Sequence, residues 1–213
     1  MKVVPSILSV LNQNLDEVLS SLEKTSVQYL HLDVMDNQFV PNYTFDEEKV
    51  KEIKKKTSLM LDTHLMIQDP VEKIDRYIQT GSDFLCFHIE AASNPLVIIE
   101  KIKQASLKVG IAIKPKTKID VLLPYLKVVD LILVMSVEPG FGGQAFMEEV
   151  LEKTRKLKEL KTLYHYSYLI EMDGGINNEN KNLIKNAGCD LIVVGSYLFK
   201  QKDLCKTIRE LEE

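Results

Sequence analysis

Two stretches of nearly continuous apolar residues, DLILVMSV at residues 130–137 and DLIVVGS at residues 190–196, indicate strands that are buried on both faces. Similar short runs recur along the whole chain and alternate with longer segments whose apolar residues follow a helical period. The predicted strands begin near Val3, Gln28, Leu59, Phe84, Lys108, Asp130, Tyr168 and Leu191. This regular alternation predicts a parallel sheet connected by helices.

The intervening segments predict helices over 15–24, 46–56, 71–80, 95–105, 148–160, 178–186 and 204–211. Asp46 and Asn178 stand where N-caps are expected, and Gly81 and Gly188 stand at the C′ positions of their helices. The alternation predicts an α/β fold, the (β/α)8 TIM barrel. A doubly wound open sheet is the alternative, because periodicity does not reveal whether a sheet closes. With no linker or low-complexity tract, residues 1–213 are expected to form a single domain.

Composition excludes several classes of partner. The chain has 45% hydrophobic and 27% charged residues and a formal net charge of -4, so no basic surface for nucleic acid is expected. No apolar run approaches the roughly 20 residues that a membrane span needs. The three cysteines are odd in number and lack CxxC spacing, which favours free thiols in a reducing compartment. The expected location is therefore cytoplasmic.

Histidine and aspartate side chains stand near the carboxyl ends of three predicted strands. His31 and Asp33 are two residues apart and so point to the same face, while His64 and Asp173 end the third and seventh strands. In a closed barrel the four side chains can converge on one divalent ion, and their mixed nitrogen and oxygen donors suit Zn²⁺, Fe²⁺, Mn²⁺ or Co²⁺. A single strand histidine is more often a hydrogen-bonded core residue, so the prediction depends on the four occurring together.

Glycine-bearing loops follow three consecutive strands. Gly140, Gly142 and Gly143 follow the sixth strand, Gly174-Gly175 the seventh and Gly195-Ser196 the eighth. Glycine allows backbone N–H groups to approach a phosphate closely, and barrels often bind phosphate after strands seven and eight. Each loop alone could be an ordinary tight turn. Their succession predicts a small phosphorylated substrate.

Motifs along nearly the whole chain resemble the ribulose-phosphate 3-epimerase family. They are PSILS at 5–9, HLDVMD at 31–36, FVPN at 39–42, HLM at 64–66, VMSVEPGFGGQ at 134–144, EMDGGI at 171–176 and VGS at 194–196. The resemblance implies a homo-oligomeric (β/α)8 enzyme of the pentose phosphate pathway with one divalent metal ion per subunit. It implies interconversion of D-ribulose 5-phosphate and D-xylulose 5-phosphate through an ene-diolate.

The resemblance also implies roles for individual residues. Asp33 and Asp173 match the two acid/base carboxylates, and these two with His31 and His64 match the metal ligands. The residues that match the substrate site are Ser6, Met35, His64, Met66, Met135, Gly140, Phe141, Gly142, Gly143, Asp173, Gly174, Gly175, Gly195 and Ser196. The methionines are expected to exclude water above the metal.

The chain departs from the family pattern at Asn37-Gln38, where Gly-His is usual, and at Met172, where valine is usual. Asparagine tolerates a positive φ, so the turn is expected to survive. The altered loop leaves open an epimerase for another ketose phosphate, such as D-allulose 6-phosphate. A metal-dependent lyase or aldolase and a sugar-phosphate-binding protein without activity are further alternatives.

Three other basic residues are expected to lie outside the metal site. His88 is expected either to form part of the site wall or to contact a metal ligand, without binding metal itself. His165 is expected at the opposite end of the barrel in a structural role, and Lys114 is expected to be solvated.

Overall fold

The computed structural model describes all residues, 1–213. Eight strands pair in parallel in the order β1-β8-β7-β6-β5-β4-β3-β2. They are β1 Lys2–Pro5, β2 Tyr29–Met35, β3 Met60–Met66, β4 Phe84–His88, β5 Lys108–Ile113, β6 Leu131–Met135, β7 Leu169–Asp173 and β8 Leu191–Val194. The edge strands β1 and β2 meet at a seam, which a parallel bridge between Ser6 and His31 joins. The sheet is therefore a nearly closed barrel, which confirms the (β/α)8 prediction and excludes the open doubly wound sheet.

Eight helices accompany the strands. They are α1 Leu15–Glu23, α2 Glu47–Lys56, α3 Pro70–Ile78, α4 Pro95–Gln104, α5 Leu151–Leu163, α6 Lys181–Asn186, α7 Ser196–Phe199 and α8 Leu204–Glu212. Between β5 and β6 the chain forms only a short 3-10 turn, Ile119–Leu122, instead of an α-helix. None of the helices is both long and apolar enough to cross a membrane.

The N-terminal ends of two helices confirm one predicted cap and correct the other. Asp46 caps α2 as predicted, since its carboxylate accepts from the Lys49 N–H at 2.8 Å. The prediction of Asn178 as a cap is wrong, because α6 begins only after Asn180. The Asn180 side chain instead bonds back to the N–H of Asn177, which holds the intervening residues in a turn.

The glycines after two helices differ in position. Gly188 follows the C-cap of α6 directly and has φ 96°, as the C′ prediction requires. Gly81 has φ 85° but lies two residues beyond the C-cap Gln79 of α3, so its predicted position is wrong by one residue.

Alternation along the strands divides the core into two layers. In β6, Ile132 and Val134 point outward into a large apolar cluster beneath the helices. Leu131, Leu133 and Met135 point inward and belong to a smaller cluster that fills the barrel. Side chains on the inward face at the carboxyl ends of the strands therefore meet above a packed interior.

Candidate active site

Three strands bring the four predicted metal ligands together at the carboxyl end of the barrel. His31 and Asp33 come from β2, His64 from β3 and Asp173 from β7, and their ligand atoms all lie within 4.8 Å of one another. The Nε2 atom of His31 and the Nδ1 atom of His64 each lie 3.5 Å from Oδ1 of Asp33. The side chains thus form one compact cluster of two nitrogen and two carboxylate donors.

Each of the two histidines turns a nitrogen without a hydrogen-bond partner towards this cluster. His31 Nε2 and His64 Nδ1 are buried and have no hydrogen-bond partner. Their other nitrogens are occupied, since His31 Nδ1 lies 2.5 Å from Asp62 Oδ2 and His64 Nε2 lies 2.9 Å from His88 Nε2. Buried polar atoms without partners are rare because they lose hydration without compensation. Two such atoms aimed at one carboxylate fit a site for a divalent cation with mixed nitrogen and oxygen ligands.

The two aspartates of the cluster have opposite pKa shifts. Burial opposes the charged form of Asp33, but the His31 and His64 rings outweigh it and hold the pKa of Asp33 far below its usual range. Ser6 Oγ also donates to Asp33 Oδ2 at 2.6 Å. Burial, together with the negative charge of Asp33, raises the pKa of Asp173 to about 7. Near neutral pH the ligand-free site therefore combines an ionised carboxylate with a carboxyl group that is close to its own pKa.

The histidine pKa values also differ. Burial disfavours the charged form of His31, yet the carboxylates of Asp33 and Asp62 raise its pKa well above the usual value. Burial lowers the pKa of His64, and the positive charge of His31 contributes to this shift. Because a metal ion requires bare nitrogens, metal binding at this cluster must displace the proton of His31.

A cavity of about 260 Å³ opens above the cluster. All of the predicted substrate-binding residues except His64 line it. They are Ser6, Met35, Met66, Met135, Gly140, Phe141, Gly142, Gly143, Asp173, Gly174, Gly175, Gly195 and Ser196, and Asp33 joins them. His64 is fully buried beside the cavity. The cavity is sized for a small metabolite, and the side chains and loops singled out in the sequence surround it.

Only glycine fits the two positions of the turn after β7. Gly174 and Gly175 have φ values of 125° and 64°. A Cβ on Gly174 would lie 2.5 Å from Val137 Cγ2, and a Cβ on Gly175 would lie 2.6 Å from the backbone nitrogen of Phe146. The Ser136 hydroxyl lies 2.8 Å from the carbonyl oxygen of Asp173 and 2.7 Å from that of Gly174. This tight packing fixes the backbone beside the catalytic candidate Asp173.

The loop after β2 covers one side of the cavity. Asn37 has φ 56°, so asparagine does adopt the left-handed conformation there. Asn42 Nδ2 donates to the carbonyl oxygen of Gly140 at 2.6 Å, which connects this loop to the glycine loop after β6. The Phe39 ring lies 4.9 Å from the His88 ring, and Lys114 Nζ lies 4.0 Å from the centre of the Phe39 ring. Lys114 therefore covers Phe39 and does not line the cavity.

His165 lies away from the site. It is exposed, with φ 55°, in the connection between α5 and β7 at the amino end of the barrel. This position agrees with the end of the barrel that its place in the sequence predicts.

Several polar residues at the site were missed by the sequence analysis. Asp62 precedes His64 by two residues and Glu171 precedes Asp173 by two, the same spacing that joined His31 to Asp33. Glu171 is fully buried with both oxygens unpartnered, and burial together with the charge of Asp62 raises its pKa well above the usual value. The alternation rule, applied to all three strands, would have found both carboxyl groups.

Lys200 was also missed. It is the only basic residue among those that line the cavity, which also include the acidic residues Asp33, Glu138 and Asp173. Its position just after α7 becomes significant only once the eighth strand is placed beside the site.

Solved structures with the same architecture confirm the barrel. N-(5'-phosphoribosyl)anthranilate isomerase from Pyrococcus furiosus superposes with a TM-score of 0.65 at 18% identity, covering 99% of this chain and 96% of that one. A 3-hexulose-6-phosphate synthase gives a TM-score of 0.65 at 14% identity, covering 99% and 98%. At these identities the likeness establishes the fold alone.

Sequence relatives are far more similar. The family model for the ribulose-phosphate 3 epimerase family matches residues 2–199. The chain is 42% identical over 207 residues to a ribulose-phosphate 3-epimerase of Treponema pallidum, covering 96% of this chain and 95% of the relative. It is 38% identical over 212 residues to the enzyme of that name from Bacillus subtilis, covering 99% and 98%. The chain therefore belongs to the ribulose-phosphate 3-epimerase family and is an isomerase of the epimerase class.

Proposed function

We propose that the protein is a metal-dependent 3-epimerase that interconverts D-ribulose 5-phosphate and D-xylulose 5-phosphate. The observation that carries this proposal is the pair of aspartates at the barrel mouth. Asp33 and Asp173 belong to one cluster of ligand atoms within 4.8 Å, and their pKa values are shifted in opposite directions. Carboxyl groups separated in this way are the usual arrangement for acid/base chemistry.

His31, Asp33, His64 and Asp173 would hold one divalent ion per subunit. The nitrogens of His31 and His64 that have no hydrogen-bond partner support this assignment, because without an ion they are buried polar atoms without compensation. The donor set suits Zn²⁺, Fe²⁺, Mn²⁺ or Co²⁺. When bound, the ion would supply positive charge that stabilises negative charge developing on the substrate oxygens.

Inversion at C3 of a 2-keto sugar phosphate removes a proton from one face and returns a proton to the other. The reaction therefore needs one ionised carboxylate that accepts and one protonated carboxyl group that donates. Asp33 comes from β2 and Asp173 from β7, so they approach the cavity from opposite sides of the seam. The reverse reaction exchanges their roles. The ene-diolate between the two steps is shielded by Met35, Met66 and Met135, which line the cavity and exclude water.

The substrate phosphate would bind at the loops after β7 and β8, where Gly174, Gly175, Gly195 and Ser196 supply backbone and hydroxyl groups. Lys200 would provide the counter-charge. Its side chain is exposed, and it is the only basic group at the cavity. Such a group would stabilise a dianionic phosphate that enters a cavity lined by acidic side chains.

The enzyme would act in the pentose phosphate pathway, in the cytoplasm, as a homo-oligomer in which residues 1–213 form one catalytic domain. Cys86 and Cys189 are buried free thiols, which supports a reducing compartment. The acidic balance of the chain gives no support to a nucleic-acid partner. Light scattering of the purified protein tests the oligomeric state.

The decisive experiment follows ribulose 5-phosphate in deuterated water with metal-loaded protein and with a chelated control. Xylulose 5-phosphate carrying deuterium at C3, and its loss on chelation, is the expected result. Exchange with D-allulose 6-phosphate only would transfer the assignment to the alternative epimerase. Aldehyde or carbon–carbon cleavage products would identify a lyase, and binding without any exchange would identify a binding protein.

A further inference from the structure

A chain of hydrogen bonds runs from the metal-ligand candidate His64 away from the site. His64 Nε2 lies 2.9 Å from His88 Nε2, and His88 Nδ1 lies 3.1 Å from Glu90 Oε2. Both rings are fully buried, whereas the Glu90 side chain is 21% exposed. The three residues therefore connect a buried site ligand to the rim of the barrel.

The second oxygen of Glu90 is anchored in the loop after β5. Glu90 Oε1 accepts from the Lys114 N–H at 2.7 Å and also from the Thr117 hydroxyl. That loop is itself held by Lys153, whose amine donates to the carbonyl oxygen of Lys114 at 3.1 Å and to those of Pro115 and Thr117. With Oε1 occupied in this way, Oε2 is held towards His88.

The direction of each hydrogen bond follows from the chemistry of the groups. An ionised carboxylate only accepts, so His88 Nδ1 must carry a hydrogen. Hydrogen bonds from His88 and the β5 loop overcome burial to lower the pKa of Glu90 to about 2, so Glu90 is ionised. His64 Nδ1 faces the cluster without a hydrogen-bond partner, and a nitrogen that binds a metal ion carries no hydrogen. The hydrogen of His64 then lies on Nε2, which donates to a bare Nε2 of His88.

We propose that Glu90 and His88 are positioning residues that fix His64 in the Nε2–H tautomer and thereby aim the Nδ1 lone pair at the divalent ion. The inference rests on the metal site of the proposed function. Asp62 acts in parallel on the other histidine, since its contact with His31 Nδ1 leaves His31 Nε2 facing the site. Fixing the orientation and tautomer of a ligating histidine through such partners is a general feature of metal sites.

Long-range ¹H–¹⁵N NMR of the metal-free wild-type protein tests the proposal without any activity measurement. We expect His64 to be protonated at Nε2 and bare at Nδ1, and His88 to be neutral and protonated at Nδ1. A His64 ring protonated at Nδ1, or a cationic His88 at pH 7, would overturn the proposal.

Substitution of Glu90 gives an independent test. In Glu90→Gln the amide can donate to His88 Nδ1, which permits the opposite tautomers. We expect the affinity for Co²⁺, titrated into metal-free protein and followed by visible absorption, to fall by roughly 10–100-fold. Asp130→Asn is the matched control, because Asp130 also bonds a backbone N–H and a lysine, but at the amino end of the barrel.

The two variants distinguish a positioning role of Glu90 from a general loss of stability. Unchanged Co²⁺ affinity in Glu90→Gln, or an equal loss in Asp130→Asn, would refute the positioning role. If the tautomers and the Glu90→Gln loss are as expected but no ketose phosphate is turned over, the positioning role stands and the proposed function fails.

Discussion

The polar side chains at the two ends of the barrel differ in whether they have partners within the protein. At the amino end Asp83, Asp130 and Asp190 each stand directly before a strand and accept from a backbone N–H of the preceding strand. Each also pairs with a lysine, at distances of 2.7, 3.1 and 2.8 Å respectively. At the carboxyl end, by contrast, two histidine nitrogens are buried without partners, and the pKa of Asp173 is raised.

This difference distinguishes groups that stabilise the fold from groups that only a ligand would satisfy. Satisfied carboxylates at strand ends fix the register of neighbouring strands and stabilise the barrel. Unsatisfied groups destabilise the ligand-free fold, and a protein retains them where binding or catalysis needs them. The comparison can be tested by changing one acidic residue at each end and by changing the charge around the cavity.

The largest effect is expected from Asp173→Asn. The variant lacks a carboxyl group that can exchange a proton, so we expect turnover of ribulose 5-phosphate to fall by roughly 10²–10⁴-fold. Because no buried charge then forms at high pH, the metal-free variant should be at least as stable as the wild type at pH 8. Steady-state kinetics measures the turnover, and urea unfolding measures the stability. Wild-type turnover by this variant would rule out the two-carboxylate assignment.

Metal affinity should depend strongly on pH. The pKa of Asp173 is raised to about 7, so its proton competes with a divalent ion below that pH. We expect Mn²⁺ affinity to rise between pH 6 and pH 7 by about tenfold for each proton displaced, and to level off for Asp173 above its pKa. Calorimetry in buffers of different ionisation enthalpy counts the released protons.

The stability of the metal-free fold should depend on pH in the opposite direction to metal affinity. A folded-state pKa raised above the unfolded value stabilises the metal-free fold at low pH, and this contribution is lost as pH rises through about 7. Metal affinity that does not depend on pH in this range would contradict the role of Asp173 as a ligand.

A smaller effect is expected from Lys200→Ala. The amine is exposed and screened by solvent, so its pairing with a phosphate is worth about 1 kcal/mol, which corresponds to a KM increase of roughly fivefold. The value of kcat should not change, and the KM difference should shrink at high salt. Lys202→Ala is the matched control, since Lys202 is exposed nearby but does not line the cavity. Equal effects of both substitutions would exclude a specific phosphate contact.

The smallest effect on turnover is expected from Asp190→Ala at the amino end. Removal of the carboxylate leaves the Ile170 N–H and Lys161 without their acceptor, so the free energy of unfolding should fall by about 1–2 kcal/mol. Values of kcat and KM should match the wild type. A loss of turnover comparable to that of Asp173→Asn would erase the distinction between the two ends.

Much of the fold was predictable from the chain because the strands carry unusually clear signals. Runs such as LILVM at 131–135 and LIVV at 191–194 favour buried parallel strands, and all eight strands lie close to the positions that the periodicity predicts. Closure was not predictable from periodicity, since it depends on strand tilt and on the contact of β1 with β2. The cap at Asn180 depended on a bond to Asn177 that no local propensity reveals.

The cavity-lining side chains were also predictable, but not all of the buried polar residues beside them were found. His31 and Asp33 were paired by alternation along one strand, and the same rule extends to Asp62 with His64 and to Glu171 with Asp173. The contact of His88 with His64 depends on the register between β3 and β4, which sequence alone does not fix. The opposite pKa shifts of Asp33 and Asp173 depend on burial and distance, and so became visible only in three dimensions.

The seam closed by Ser6 and His31 bears on the solubility of the protein as well as on its chemistry. His31 and Asp33 stand on one side of the seam, and Asp173 stands on the other, beyond β1 and β8. An ion bound by all of them would cross-link the two sides at the point where the barrel is least paired. Without the ion, β1 and β2 are the strands that could open into free edges, and free edges recruit other chains. Loss of the ion would then reduce turnover and would also make the barrel more prone to aggregation.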